Sequence, residues 1–143
     1  MLSYYKKYYI NMNERRVSMN QVKEKYISYL DKKIGEYNRI CEIYKAEDRK
    51  DEADFEKIKA NICDIFKTLF IRDTKELEGK ELSVSNNKNL YTNFLLRFDT
   101  IPANWKLSLA KAIAYGDVKK QVIEETKLAV AKELKEQFIS ILN

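Results

Sequence analysis

Along most of this chain apolar residues return every three or four positions, the spacing that gathers them on one side of an α-helix. Val22, Tyr26, Leu30, Ile34, Tyr37, Cys41 and Tyr44 follow it through residues 19–46. Ser18 precedes that stretch and Gln21 stands three residues later, the pattern of a capping box. Gly35 projects away from the stripe. It costs about 1 kcal/mol against alanine there without breaking the helix. The polar run at 47–52 ends this first element.

A second helix is predicted over 52–71, with Phe55, Ile58, Ile62, Ile65, Phe66 and Leu69 as its apolar face. Asp51, Glu52 and Asp54 stand at its start, where exposed amides favour negative charge, and Asp51 is a candidate cap. Residues 72–85 read as a polar loop containing Gly79, with a helical turn around 74–78. A short third helix follows over 86–98, capped by Ser85, with Leu90, Tyr91, Phe94, Leu95 and Phe98 inward.

Pro102 suits the first turn of a fourth helix, because its missing amide proton is not needed there. This helix should reach residue 115. Trp105, Leu109, Ala112 and Ile113 mark one face, and Leu107, Ala110 and Ala114 the opposite one. A helix apolar on two sides is expected to be covered on two sides, which predicts a central position. Gly116 then fits a helix C-cap and Asp117 the next N-cap. The last helix is predicted over 118–142. Ile123, Thr126, Val130, Leu134, Phe138 and Ile141 face inward, while Leu128 and Ile139 project together on the other side.

These elements predict an all-α fold: a four- to five-helix bundle or orthogonal helical array forming a single domain. The helical domain spans 18–143, and 1–17 form an N-terminal arm with no clean period. There are only three glycines and one proline in 143 residues, too few turn residues for a sheet-rich fold of this length. A lone strand over 82–84 would have nothing to pair with.

Charge adds an asymmetry. The net charge is +5, and residues 1–40 carry nine Lys or Arg against four Asp or Glu. Lys25, Lys32 and Arg39 stand seven residues apart on the outer side of the first helix, a strip about 20 Å long. Lys6, Lys7, Arg15 and Arg16 in the arm extend it. Such a strip permits contact with phosphates or other anions, and Tyr4, Tyr5, Tyr8 and Tyr9 could stack on unpaired bases. Glu36 lies near Lys32 and Arg39, so ion pairing within a solvated face explains the same residues. The early tyrosines also suit a protein contact, as does the outward pair Leu128 and Ile139.

The chain contains no histidine. That removes the commonest general base and transition-metal ligand, and with them Ser-His-Asp, Cys-His and zinc deaminase arrangements. No glycine-rich phosphate loop or dinucleotide fingerprint occurs. Cys41 and Cys63 are too few for a thiolate zinc site and read as core residues, Cys63 nearer the edge of its stripe. Glu124, Glu125, Glu133 and Glu136 read as a solvated face. No cofactor or metal is expected. No apolar run approaches a membrane span or a signal-peptide h-region, so cytoplasmic placement is the expectation. Met12 and Met19 offer alternative starts, and the abundance of Ile, Lys, Asn and Tyr fits AT-rich coding, as in low-GC bacteria and their phages. The residues point to a non-enzymatic helical interaction or assembly module whose partner is another protein or a second copy. The alternative is a nucleic-acid accessory protein using the basic strip and arm.

Overall fold

Long runs of good helix formers let the chain fold as helices. A computed structural model of the chain describes residues 18–75 and 84–142. The described residues form five helices: α1 (Ser18–Ala46), α2 (Lys50–Lys75), α3 (Val84–Thr100), α4 (Ala103–Tyr115) and α5 (Val118–Leu142). The chain is an all-α single-domain helical array. Of the stretch 72–85 expected as a loop, 72–75 belong to α2 and 84–85 to α3, and the rest lies outside the described residues.

The links are built from local chemistry. Between α1 and α2, Asp48 takes a left-handed conformation (φ 58°). The Asp48 amide donates to the Lys45 carbonyl (3.1 Å) and the Arg49 amide to the Tyr44 carbonyl (2.8 Å). This is the glycine-type stop with aspartate in glycine's place, tolerated because a short polar side chain tempers the strain. The Ala53 amide donates to the Arg49 carbonyl, so Arg49 holds the cap position of α2. Asp51, expected as that cap, lies instead within the first turn beside Glu52. Between α4 and α5, Gly116 stands at φ 68°. Its amide donates to Ile113 (3.2 Å) and the Asp117 amide to Ala112 (2.9 Å). The Asp117 side chain then accepts from the Lys120 amide (3.1 Å), so both expected caps are present.

Pairings along the helices give the topology. Tyr26 meets Phe70 across α1 and α2 (ring centroids 5.1 Å apart), and Asp31 pairs with Lys67 farther along, so these helices are antiparallel. Phe66 stacks on Phe98 (4.5 Å) and Phe70 packs on Phe94 (4.9 Å), setting α3 antiparallel to α2. Phe94 packs against Phe138 (5.0 Å), and Trp105 lies under the Lys127 ammonium (5.9 Å). Both α3 and α4 therefore run against α5, one after the other. The result is a four-legged up-and-down bundle whose third leg is broken at Ile101–Pro102 into α3 and α4.

Across the bundle, α2 and α5 run parallel, with Asp51 near Lys119 (3.8 Å) at one end and Phe70 near Phe138 (5.7 Å) at the other. Equal spacing along both helices puts Cys63 level with Ala131. Ala53, Ala60, Cys63 and Ala131 are all buried. Small side chains let these two legs approach closely. The face of α2 differs accordingly from its expected one: Phe70 is fully buried and Cys63 sits at its centre, whereas Ile65 is 41% exposed.

The core is an aromatic cluster at the end of the bundle where α3 packs. Tyr26, Phe66, Phe70, Phe94 and Phe138 are fully buried, with Tyr91 and Phe98 beside them. The Tyr26 hydroxyl donates to the Leu134 carbonyl (3.0 Å). Burial pushes the Tyr26 phenol upward, and the Tyr91 phenol up to about 12. The guanidinium of Arg97 grips both oxygens of Asp73 (2.7 Å each), tying α3 to the last turns of α2.

Candidate interaction surface

The fourth helix departs most from expectation. It packs against α5, turning Trp105, Leu109 and Ala112 toward the body; Ala112 is its only buried residue. Its other side is covered by none of the described residues, so the helix is not central. Leu107 is 63% exposed and Ile113 55%, with Ala103, Ala110 and Ala114 also exposed. At the turn into α5, Tyr115 (86%) and Val118 (69%) extend the same apolar exposure, and Val122 follows on α5. Other exposed apolar side chains, such as Ile43, Ile65 and Ile71, belong to separate helices or turns and are ordinary surface.

The outward residues of α4 keep a regular register. Ala103, Leu107, Ala110 and Ala114 are spaced four, three and four apart, the period of a helix-docking seam. Trp105 and Ala112 occupy the position directly opposite that seam, toward α5. Lys106 lies on one flank with Ile113, and Lys111 on the other with Asn104 and Tyr115. Between Asp99 and Asp117 the chain has these two lysines and no acid. Neither lysine forms an ion pair among the described residues.

The basic strip on α1 is partly as expected. Lys25, Lys32 and Arg39 are all exposed, and a methyl group at Gly35 would meet nothing within 4 Å. Glu36 pairs with neither Lys32 nor Arg39, so the anticipated ion-pair lacing is absent there among the described residues. Lys6, Lys7, Arg15 and Arg16, together with Tyr4, Tyr5, Tyr8 and Tyr9, lie outside the described residues. Leu128 and Ile139 are half-buried on α5. A shallow open groove on α1, lined by Asn20, Lys23, Glu24, Ile27, Ser28 and Asp31, carries no convergent reactive set.

Neither cysteine is poised for chemistry. Cys41 is 2% exposed and Cys63 fully buried, both as free thiols. Desolvation pushes the Cys63 thiol up to about 12, the direction that keeps it protonated and unreactive. Its expected place at the edge of the stripe is corrected to the centre of the α2–α5 contact.

The acids divide into two kinds. Glu133 is half exposed and pairs with Lys33 (2.7 Å), whose ammonium also lies over the Tyr37 ring (5.6 Å). The Glu133 hydrogen bond holds the Lys33 ammonium above its usual range. Glu124, expected on a solvated face, is only 5% exposed, and Glu56 across from it on α2 is 9% exposed. Each reaches the lysine three residues on, Glu56 to Lys59 (2.9 Å) and Glu124 to Lys127 (3.3 Å). Glu124 is buried because α2 and α5 come close enough to enclose even the first turns of α5. Each of the two inward carboxylates has an ammonium counter-charge. No group of three His, Cys, Asp or Glu able to hold a metal occurs among the described residues.

Comparisons with protein families, with curated proteins and with solved structures return no match. No described helix is long and apolar enough to cross a membrane. The open face of α4 has a signal in the sequence, namely its two apolar faces. What spacing does not reveal is that the described residues cover only one of them.

Proposed function

We propose that this chain is a non-enzymatic helical interaction module and that the outward side of α4, with the turn into α5, is its contact surface. One observation carries the reading. A helix apolar on opposite sides is covered on one side by α5 and on the other by nothing among the described residues.

The reading requires the face to be open in the free chain. Leu107→Cys places one accessible thiol on it, since Cys41 and Cys63 are buried. Its reaction with a thiol reagent in native buffer should proceed at close to the rate seen in denaturant. Ala112→Cys, on the covered side, should react at least about a hundredfold more slowly, the protection expected of a packed position. A Leu107→Cys that stays slow on dilution to monomer would mean that another part of the chain covers the face, and the proposal would fall.

A second reading is anion or nucleic-acid contact through Lys25, Lys32 and Arg39. It is favoured by their common exposure and by the lack of an ion pair at any of the three among the described residues. Binding of an unrelated oligonucleotide at about 50 mM salt, lost in the triple Glu variant and steeply weakened by salt, is its signature. No binding at that salt removes it.

A further inference from the structure

Resting on the proposed role of α4, we infer that the occupant of its outward face is an amphipathic helix with large apolar side chains along its seam and acidic residues on both flanks.

Shape is the first argument. Three of the four seam residues are alanines, at 103, 110 and 114, with Leu107 as the single large side chain. A row of alanines is shallow and lets another backbone come close, so the bulk that fills such an interface must come from the other side. A second copy docking through the same face would bring alanine against alanine.

Charge is the second argument. In a parallel pairing of two copies, Lys106 faces Lys111 of the second copy, a like-charge contact of the kind that sets partner choice at helix seams. In an antiparallel pairing, Lys106 meets Ile113 and Lys111 meets Asn104 of the second copy. Four ammonium groups then border a seam with no acid. A helix with glutamates at both flanks answers Lys106 and Lys111 directly.

Lysines bordering an apolar face also suit anionic lipid headgroups, so a lipid surface is one arm of the test. Residues 1–17 and 76–83 lie outside the described residues; 76–83 join Lys75 to Val84, at the end of the bundle away from α4, so the occupant to weigh within the chain is residues 1–17. They carry Lys6, Lys7, Arg15 and Arg16 against the single acid Glu14, which gives them the wrong sign.

The test uses the full chain and two synthetic helical peptides of equal length, each with leucine along the seam. One has glutamate at both flanks and the other lysine. Fluorescence anisotropy should show saturable binding of the glutamate peptide, at least about tenfold tighter than the lysine peptide at low salt. Leu107→Asp should abolish it, and Lys106→Glu with Lys111→Glu should reverse the preference between the peptides. That exchange is the readout a merely structural effect would not produce. Equal binding of both peptides, or of neither, overturns the inferred flank chemistry. So does a concentration-dependent dimer in light scattering that Leu107→Asp dissolves. Sedimentation with phosphatidylserine vesicles that outcompetes the glutamate peptide overturns it in favour of lipid. The thiol accessibility of Leu107→Cys separates these outcomes from failure of the underlying reading. An open face that rejects the acidic peptide defeats only the partner's chemistry, whereas a covered face defeats both.

Discussion

Tyr26 offers the sharpest separation of packing from hydrogen bonding in this fold. Its ring is fully buried against Phe70, Phe94 and Phe138, with centroids 5.1, 5.8 and 4.8 Å away, and its hydroxyl donates to the Leu134 carbonyl at 3.0 Å. Tyr26→Phe keeps the ring and removes the donor. The Leu134 carbonyl stays within α5, where the helical ladder still offers it a bond. The loss is therefore that of one neutral hydrogen bond, about 1 kcal/mol. Tyr26→Ala removes the ring as well and leaves a cavity in a tightly packed cluster, at a cost of about 3–5 kcal/mol. Urea unfolding followed by circular dichroism resolves the two. For a urea slope near about 2 kcal/mol per molar, the midpoint should fall by about 0.5 M for Phe and about 2 M for Ala. Equal losses for the two variants would show that the ring contributes nothing beyond its hydroxyl. An undiminished midpoint in Tyr26→Ala would refute the placement of this side chain in the core.

Further outcomes follow from the backbone, from one ion pair and from the buried phenols and thiol. Gly116→Ala should destabilise by about 1–2 kcal/mol, because a side chain is strained at φ 68°, while Asp48→Gly should relieve part of the same strain at φ 58°, both read as shifts in urea midpoint. Gly35→Ala, on an exposed helix surface with nothing within 4 Å, should stabilise by up to about 1 kcal/mol. Asp73→Asn should cost about 1.5–3 kcal/mol, since it breaks a two-point grip on Arg97 in which the acid is only 11% exposed, and thermal melting would detect it. Finally, Tyr26, Tyr91 and Cys63 keep their protons in the folded chain at pH values where the unfolded chain releases them. Their contribution is thus fully present below about pH 8.5–10, the ordinary range of these groups, and is lost as pH climbs toward the raised folded values. Stability should be flat from these groups up to about pH 8.5 and then fall, each ionising group steepening the decline toward about 1.4 kcal/mol per pH unit; a urea midpoint unchanged to about pH 11 would contradict their burial.

How far residue spacing reaches can be judged from particular elements. On α1 the whole stripe from Val22 to Tyr44 is buried or half-buried, and Gly116 and Asp117 cap as their chemistry requires. Those features are local or follow from one dominant periodicity. On α2, weighting by large aliphatics selects Ile65, whereas contact with α5 is made through Ala60 and Cys63, whose small size is the reason the legs approach. Glu124 escapes the pattern for the same cause: close helix approach buries a carboxylate that its own sequence neighbours do not mark as inward. Hydrophobicity along one helix cannot register a property of the gap between two. For α4 the spacing correctly reveals two apolar faces, but periodicity carries no information on whether the covering surface lies in the same chain. Of the candidate contacts named from sequence, Lys25, Lys32 and Arg39 share an exposed side of α1, while Leu128 and Ile139 are half-buried and the most exposed apolar group lies at Leu107, Ile113, Tyr115 and Val118.

Amide chemical-shift mapping of the isotopically labelled chain, titrated with the glutamate-flanked helix, tests the contact surface most directly. The account predicts a footprint over Ala103–Tyr115 and residues 118–122, with the amides around Lys25, Lys32 and Arg39 unmoved. Shifts concentrated on α1, with α4 silent at saturation, would contradict it.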